Sequence, residues 1–534
     1  MKKLPIGISE FSELREKKCV YVDKTKHIYS LLNDNSRTFL SRPRRFGKSL
    51  LVSTLAAALQ GKKELFEGLW IASSDYAWEP VGVIRLDFSQ LSIESKESFA
   101  KSLSVILRNI ARRYEVELKD GLDLNSALLI LIDALCDKSR PIHFKSVAIL
   151  IDEYDYPILH TLHKPELAVE IRDIMKSFFC VIKAQATFVQ FVFVTGVSAF
   201  SKSGLSPGLN NLDNLTMNEK FFDICGYTDK EVDLYFKEHM ENWATVRNVA
   251  YEEVRQQLKE WYNGYRFIEN TPTVYSPFSF SSALHLQALR NFWFESATPQ
   301  VLLDELKKEE RLEEGRLLEL DQMEGTGDLL QTFEIESLPL PALLFQMGYL
   351  TIASYNSLTR NYQLKYPNLE VRASFTRHLT ALITQKSTAY INPLIGKVYG
   401  FLVEGKIEEM VAVLRSIVSG IPYPLHIKQE KFYHALLQTI FSAAGIDTES
   451  ERLTSIRRVD IILKLPNIIY IIELKVDELP EVGLEQIKTQ KYYEPFLHTG
   501  LPVHAIAISF IRKKASKKEK SSFTISYATK GLNA

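Results

Sequence analysis

The chain has 534 residues, too many for one hydrophobic core and enough for two or three domains. Its 46% hydrophobic and 24% charged residues are those of an ordinary soluble globular protein. Lys plus Arg equals Asp plus Glu at 65 each, which excludes a global electrostatic claim on nucleic acid and leaves any such contact to a local patch. Cys19, Cys136, Cys180 and Cys225 lack CxxC spacing, so they read as reduced thiols and not as a zinc site or a disulfide framework. After Met1-Lys2-Lys3, Pro5, Glu10, Glu13 and Glu16 stand where the apolar part of a secretion signal belongs. No apolar run approaches the roughly 18 residues that span a bilayer. The expectation is a cytoplasmic protein with no signal peptide and no membrane partner.

Residues 1–35 read as an approach segment with a helix over Lys24–Asn33. Thr38-Phe39-Leu40 then enters Ser41-Arg-Pro-Arg-Arg-Phe-Gly-Lys-Ser-Leu50, and the apolar Leu50–Leu59 with Gly61 behind it predicts a helix. A Gly-Lys-Ser opening a helix after a strand sets backbone N–H groups, the helix dipole and the Lys48 ammonium around phosphates, and offers the Ser49 hydroxyl to Mg²⁺. The chemistry is triphosphate binding, with Arg44, Arg45, Phe46, Gly47, Lys48, Ser49 and Leu50 as the candidate cradle. The pattern G-x-x-x-x-G-K-[ST] is incomplete, because Arg42 stands at the first Gly and Pro43 removes an amide donor. On this stretch alone, a helix start that merely carries Gly-Lys-Ser is the alternative.

Val81–Phe88 predicts a second strand, and Ser95–Tyr114 and Leu124–Leu135 predict helices. Val147–Ile151 is a continuous apolar run, as in a buried parallel strand, and ends in Asp152-Glu153-Tyr154-Asp155. Carboxylates at such a strand end face the ligand crevice of an open α/β sheet, so Asp152 is a candidate for Mg²⁺ and Glu153 for polarising the attacking water. Phe191–Val194 is another buried strand, closed by Thr195-Gly-Val-Ser198, which puts Thr195 or Ser198 near a γ-phosphate. Asp87, near a strand end, reads more simply as a surface carboxylate. The alternation of helices with short apolar strands predicts a parallel sheet with helices on both faces. Ser203–Asp213 is a loop able to close over nucleotide. Arg266, within Trp261–Phe267, either reaches nucleotide or is paired inside an aromatic corner.

Residues 272–417 read as a mostly helical connector. Within it Glu305–Leu320 is an amphipathic helix, and Leu343–Ile352 with Tyr362–Tyr366 suggests a small sheet. Further on, Glu430 opens a helix over Lys431–Phe441. Arg458–Lys464 and Ile468–Lys475 read as strands joined by Leu465-Pro466-Asn467. Side-chain alternation puts Glu473 and Lys475 on one face and Leu474 toward the core, with Asp460 on the neighbouring strand able to meet them. Two carboxylates and the carbonyl between them can hold Mg²⁺ while Lys475 orients or activates a water, which suits phosphodiester hydrolysis. The basic run Arg512–Lys520 reads equally as a grip on a phosphate backbone and as a solvated hairpin loop.

Arg42-Pro-Arg-Arg-Phe-Gly-Lys-Ser49, Ile6-Gly7 with Tyr21-Val-Asp-Lys-Thr25, Leu150-Ile-Asp-Glu-Tyr-Asp155, and Thr195-Gly-Val197 with Leu209-Asn-Asn211 resemble the bacterial AAA-ATPase-like proteins with a C-terminal PD-(D/E)XK nuclease-like domain. The resemblance covers most of the chain. Arg-Pro-Arg-Arg-Phe-Gly-Lys is that family's usual P-loop, so Arg42 and Pro43 look like family traits. The resemblance implies ATP and Mg²⁺ as cofactors, with Ser49, Asp152, Asp460 and Glu473 toward metal. It makes Asp460 the nuclease Asp, Glu473 and Lys475 its Glu-x-Lys, Gln486 the Gln of the following helix, and Glu430 and Glu451 further acidic positions. Arg457 departs from relatives that often have Gly there. The implied architecture is α/β: a P-loop parallel sheet with flanking helices over 1–271, a helical connector over 272–417, and an α/β nuclease-like domain over 418–534. The implied function is an ATPase coupled to a metal-dependent nuclease acting on nucleic acid, DNA first, with homo-oligomerisation left open. The alternative is an ATP-dependent switch or binding module that recognises DNA or a protein partner without cutting.

Overall fold

In the computed structural model, which describes residues 1–34, 37–198, 212–293, 302, 306, 323–330, 339–419, 430–453, 458–513 and 522–532, the chain divides into two units. The first is Met1–Leu303 with Asp321–Asn368, and the second is Asp304–Leu320 with Leu369–Ala534.

The first unit is built on five parallel strands: β1 (Arg37–Ser41), β2 (Gly82–Asp87), β3 (Val147–Asp152), β4 (Val189–Gly196) and β5 (Asp213–Asn214). Their order is β2-β3-β4-β1-β5. β3 is buried along its whole length, which its unbroken Val-Ala-Ile-Leu-Ile run requires. Helices Lys48–Leu59, Lys96–Arg113, Leu124–Cys136 and Pro165–Ala184 accompany the sheet. Two of them start where local chemistry directs: Ser95 and Ser98 form a capping box, and the Asp123 carboxylate accepts from the Asn125 and Ser126 amides. Because all five strands run one way, Ser41, Asp87, Asp152 and Gly196 end on the same edge, with β4 between β1 and β3.

The same unit holds a helical part, Asp229–Tyr235, Lys237–Arg247, Tyr251–Tyr262 and Pro277–Leu286, around a core that includes Val22, Phe236, Trp243 and Tyr262. A three-stranded antiparallel sheet, β6 (Glu324–Gly325), β7 (Thr351–Asn356) and β8 (Asn361–Lys365), follows in the order β6-β8-β7. The expected sheet over Leu343–Ile352 is half helix. Leu340–Met347 is helical, entered through Pro339 and Pro341 and ended by Gly348 at φ +87°, and the strand starts only at Thr351.

The second unit is a mixed sheet of β9 (Asp447–Leu453), β10 (Arg458–Lys464), β11 (Ile469–Val476), β12 (Val503–Lys513) and β13 (Ser522–Gly531), in the order β13-β12-β11-β10-β9. Only the β11–β12 pair is parallel. Alternation sorts the side chains onto two faces. Ile461, Tyr470, Ile472 and Leu474 join a core with helices Leu369–Ile383, Thr388–Val403, Ile407–Val418 and Glu430–Ala443. Ile462, Ile469 and Ile471 join a second core with Ile487 of helix Pro480–Gln490. Most of the 203–213 loop, the expected 305–320 helix apart from Leu306, Arg457, residues 514–520 of the basic run and the side chains of Glu430 and Glu451 lie outside the described residues.

Candidate functional site

In the first unit the P-loop runs from the end of β1 into the Lys48–Leu59 helix. Gly47 caps that helix at φ +89°, with open space where a Cβ would stand, so its backbone can be approached closely. Arg45 is also left-handed, at φ 68°, and its guanidinium lies 4.6 Å from the Phe278 ring centre. Phe46 is a core residue, edge-on to Tyr265 at 4.7 Å, so what it offers a ligand is its main chain. The Arg44 carbonyl accepts from Trp293 Nε1 at 3.0 Å.

Lys48 is buried, its ammonium 3.2 Å from the Pro43 carbonyl and 3.4 Å from Glu153 Oε1. The Ser49 side chain lies beside Asp152. Burial, with Glu153 beside it, pushes the Asp152 carboxyl up to about 6, against the pull of Ser49 and Lys48. Glu153 follows at φ 50°, a region that non-glycine residues seldom occupy, and its amide donates to Asp152 Oδ1. Lys48, Ser49, Asp152 and Glu153 therefore come together. A buried, incompletely compensated Asp beside a hydroxyl and a lysine fits a magnesium-bound phosphate chain.

Thr195 takes a different part. It is fully buried and its hydroxyl donates to the Leu40 carbonyl at 2.8 Å, tying β4 to β1. Ser198 donates to Asp155 Oδ2 at 2.6 Å. Asp155, without a role in the sequence reading, also accepts from the Val197 and Ser198 amides, clamping the end of β3 to the loop after β4. Burial and the neighbouring Glu153 raise its pKa. The clamp needs Gly196, whose Cβ would stand 2.3 Å from Asp155 Oδ1.

Arg42 is nearly fully buried. Its guanidinium donates to the carbonyls of Ser41, Thr216 and Phe221 and lies 4.4 Å from the Phe267 ring centre, while burial lowers its pKa to about 10. The residue in place of the first glycine is a strut. Arg266 donates to Ala353 O at 3.1 Å, the paired arrangement within the aromatic corner. Asp87 accepts from Ser89 and Gln90 at the end of β2. Beside Gly47 and Leu50 opens a small, largely apolar cavity of about 70 Å³, lined among others by Val22, Lys24, Cys225 and Tyr227.

In the second unit, the β10–β11 ladder ends with Ile461 opposite Ile472, and Asp460 is the next residue of β10. Asp460 Oδ2 accepts from the Leu474 amide at 2.8 Å, and Lys475 Nζ lies 3.1 Å from Glu473 Oε1. Glu473 and Lys475 are buried. Gly483 brings helix Pro480–Gln490 against this face, where a Cβ would meet Ala507 at 2.9 Å and Glu473 at 3.5 Å. Half-buried Gln486 follows three residues later on the same helix. Asp460, Glu473 and Lys475 are thus together, and two carboxylates with a lysine fit a hard divalent cation. Among the described residues, no group of three or more His, Cys, Asp or Glu side chains is arranged to hold a metal, and no helix is long and apolar enough to cross a membrane.

Residues 5–206 match the family described as predicted AAA-ATPase, and residues 428–520 match the PD-(D/E)XK nuclease superfamily. A protein of Azotobacter chroococcum mcd 1, known as an uncharacterized protein in the vnfD 5' region, is 32% identical over 535 residues, covering 96% of this chain and 98% of its own.

Proposed function

The chain belongs to the AAA-ATPase-like proteins that carry a C-terminal PD-(D/E)XK nuclease-superfamily domain, and on that premise we propose that it hydrolyses ATP with Mg²⁺ and uses the nucleotide state to gate a metal-dependent nuclease. The observation that carries the first half is the convergence of Lys48, Ser49, Asp152 and Glu153 at the carboxyl edge of a parallel sheet. Gly47, Lys48 and Ser49 hold the phosphates, Ser49 and Asp152 the magnesium, and Glu153 polarises the attacking water.

The second half is supported by Asp460, Glu473 and Lys475 on one face. Asp460 and Glu473 hold a divalent cation that supplies charge stabilisation, and Lys475 orients the water for attack on a phosphodiester, with Gln486 on the adjoining helix. The substrate is nucleic acid, DNA first, and the compartment the cytoplasm. A second reading, a switch whose nuclease-like unit binds without cutting, is favoured by one observation: Asp460 already gives an oxygen to the Leu474 amide.

Phosphate release and ATP binding in wild type, Lys48→Ala and Glu153→Gln test the first half. The expected pattern is Mg²⁺-dependent release lost in both variants, with ATP binding kept only in Glu153→Gln. A wild-type chain that binds no ATP contradicts the proposal.

A further inference from the structure

We propose that His434 is a positioning residue of the Asp460–Glu473 site, fixing the main chain at Asp460 from behind the sheet so that both carboxylates reach one divalent cation. The assignment rests on the metal-site reading above. His434 lies on helix Glu430–Ala443, whose Phe432, Tyr433, Leu436 and Leu437 fill the core on the face opposite helix Pro480–Gln490. Its ring is buried, with Nε2 2.6 Å from the Asp460 carbonyl oxygen. A carbonyl has no proton to give, so the imidazole nitrogen facing it must carry one, which puts the proton on Nε2.

The place of that hydrogen bond makes it more than a satisfied core histidine. The β10–β11 ladder runs from Lys464 opposite Ile469 to Ile461 opposite Ile472, so Asp460 lies one residue past its end. On its other side β9 brackets the residue, with Val459 opposite Arg452 and Ile461 opposite Ser450; on the side of the site two further bonds hold it, His434 on its carbonyl and the Leu474 amide on its Oδ2. Leu474 stands between Glu473 and Lys475, so the second bond sets the Asp460 carboxylate against the Glu-x-Lys strand, and the first ties the Asp460 carbonyl, at the open end of the β10–β11 ladder, to the helix behind it. Outer groups that orient metal-binding carboxylates are typically worth about 10- to 100-fold in metal affinity.

The test is Mn²⁺ alone, titrated into the full-length chain without nucleotide and read by electron paramagnetic resonance, with Asp460→Asn identifying which bound ion belongs to this site. His434→Leu should weaken the Asp460-dependent ion by about tenfold or more. His434→Gln, which keeps an N–H donor of similar reach, should restore it to within about threefold, a rescue that loss of ring packing alone does not predict. A folded His434→Leu with wild-type Mn²⁺ affinity overturns the assignment, as does a His434→Gln as weak as His434→Leu. If His434→Leu does not fold, His434→Gln against the shorter His434→Asn decides: wild-type affinity in Gln and loss in Asn supports the assignment, and equal affinities overturn it. A wild-type chain with no Asp460-dependent Mn²⁺ overturns the metal-site reading and this assignment with it.

Discussion

The Lys48 ammonium stands 3.4 Å from Glu153 Oε1, joining the start of the P-loop helix to the end of β3 across the space a phosphate would enter. The lysine is buried and also held by the Pro43 carbonyl, so the protein's own contacts set its place. Replacing it by alanine removes the one described ammonium beside Asp152 and Glu153. Lys48→Ala should lose about 10- to 100-fold in ATP affinity, the worth of a hydrogen bond to a charged group at about 1.5–3 kcal/mol, measured by calorimetric titration.

Arg42→Gly gives the loop the glycine that the general pattern asks for, and it should damage the protein. The change deletes the donors to Thr216 and Phe221 and the stack on Phe267. A loss of about 3 kcal/mol in urea unfolding is expected, combining lost packing with buried carbonyls left without partners. An equally stable or more stable variant would show that the strut is incidental.

Gly196→Ala should lower stability by about 1–3 kcal/mol, because its Cβ must displace the Asp155 carboxylate and the Tyr154 ring. The clamp loosens at the same time, so ATP affinity should fall even where the variant is fully folded at the assay temperature. Thermal melting and nucleotide titration of the same sample check both.

Asp223 supplies a pH test. It accepts from His27 at 2.9 Å, with Lys24 3.8 Å away. Burial raises its pKa, but the His27 hydrogen bond and the Lys24 charge outweigh burial and hold the carboxyl below its ordinary 3.8. A depressed carboxylate adds stability above its ordinary pKa, and that stability is lost as pH falls through the folded value. Asp223→Asn should therefore be less stable than wild type at pH 7, with the gap closing as pH drops below 3.8. A gap independent of pH would remove the charge from the explanation.

Much of this was legible because buried parallel strands read as unbroken apolar runs. β1, β3 and β4 lie where Thr38–Leu40, Val147–Ile151 and Phe191–Val194 point, and two-residue alternation brings Lys475 to Glu473. What stayed hidden was long-range. Nothing near Arg42 announces acceptors 174 and 179 residues away, nor does the Asp155 position announce a clamp on Val197 and Ser198. The front half of Leu343–Ile352 reads as strand although Leu343–Met347 is helical, because a buried helix has no polar stripe to reveal its period. Thr195 looked like a ligand group because a strand-end hydroxyl in sequence carries no sign that Leu40 already takes its proton.

The most direct measurement is cleavage of plasmid and single-stranded DNA with Mg²⁺ or Mn²⁺, with and without ATP, for wild type, Lys475→Ala and Lys48→Ala. The account predicts metal-dependent cleavage abolished by Lys475→Ala and made insensitive to ATP by Lys48→Ala. No cleavage under any condition, from a chain that still binds ATP tightly, would contradict the nuclease and leave the nucleotide-dependent switch.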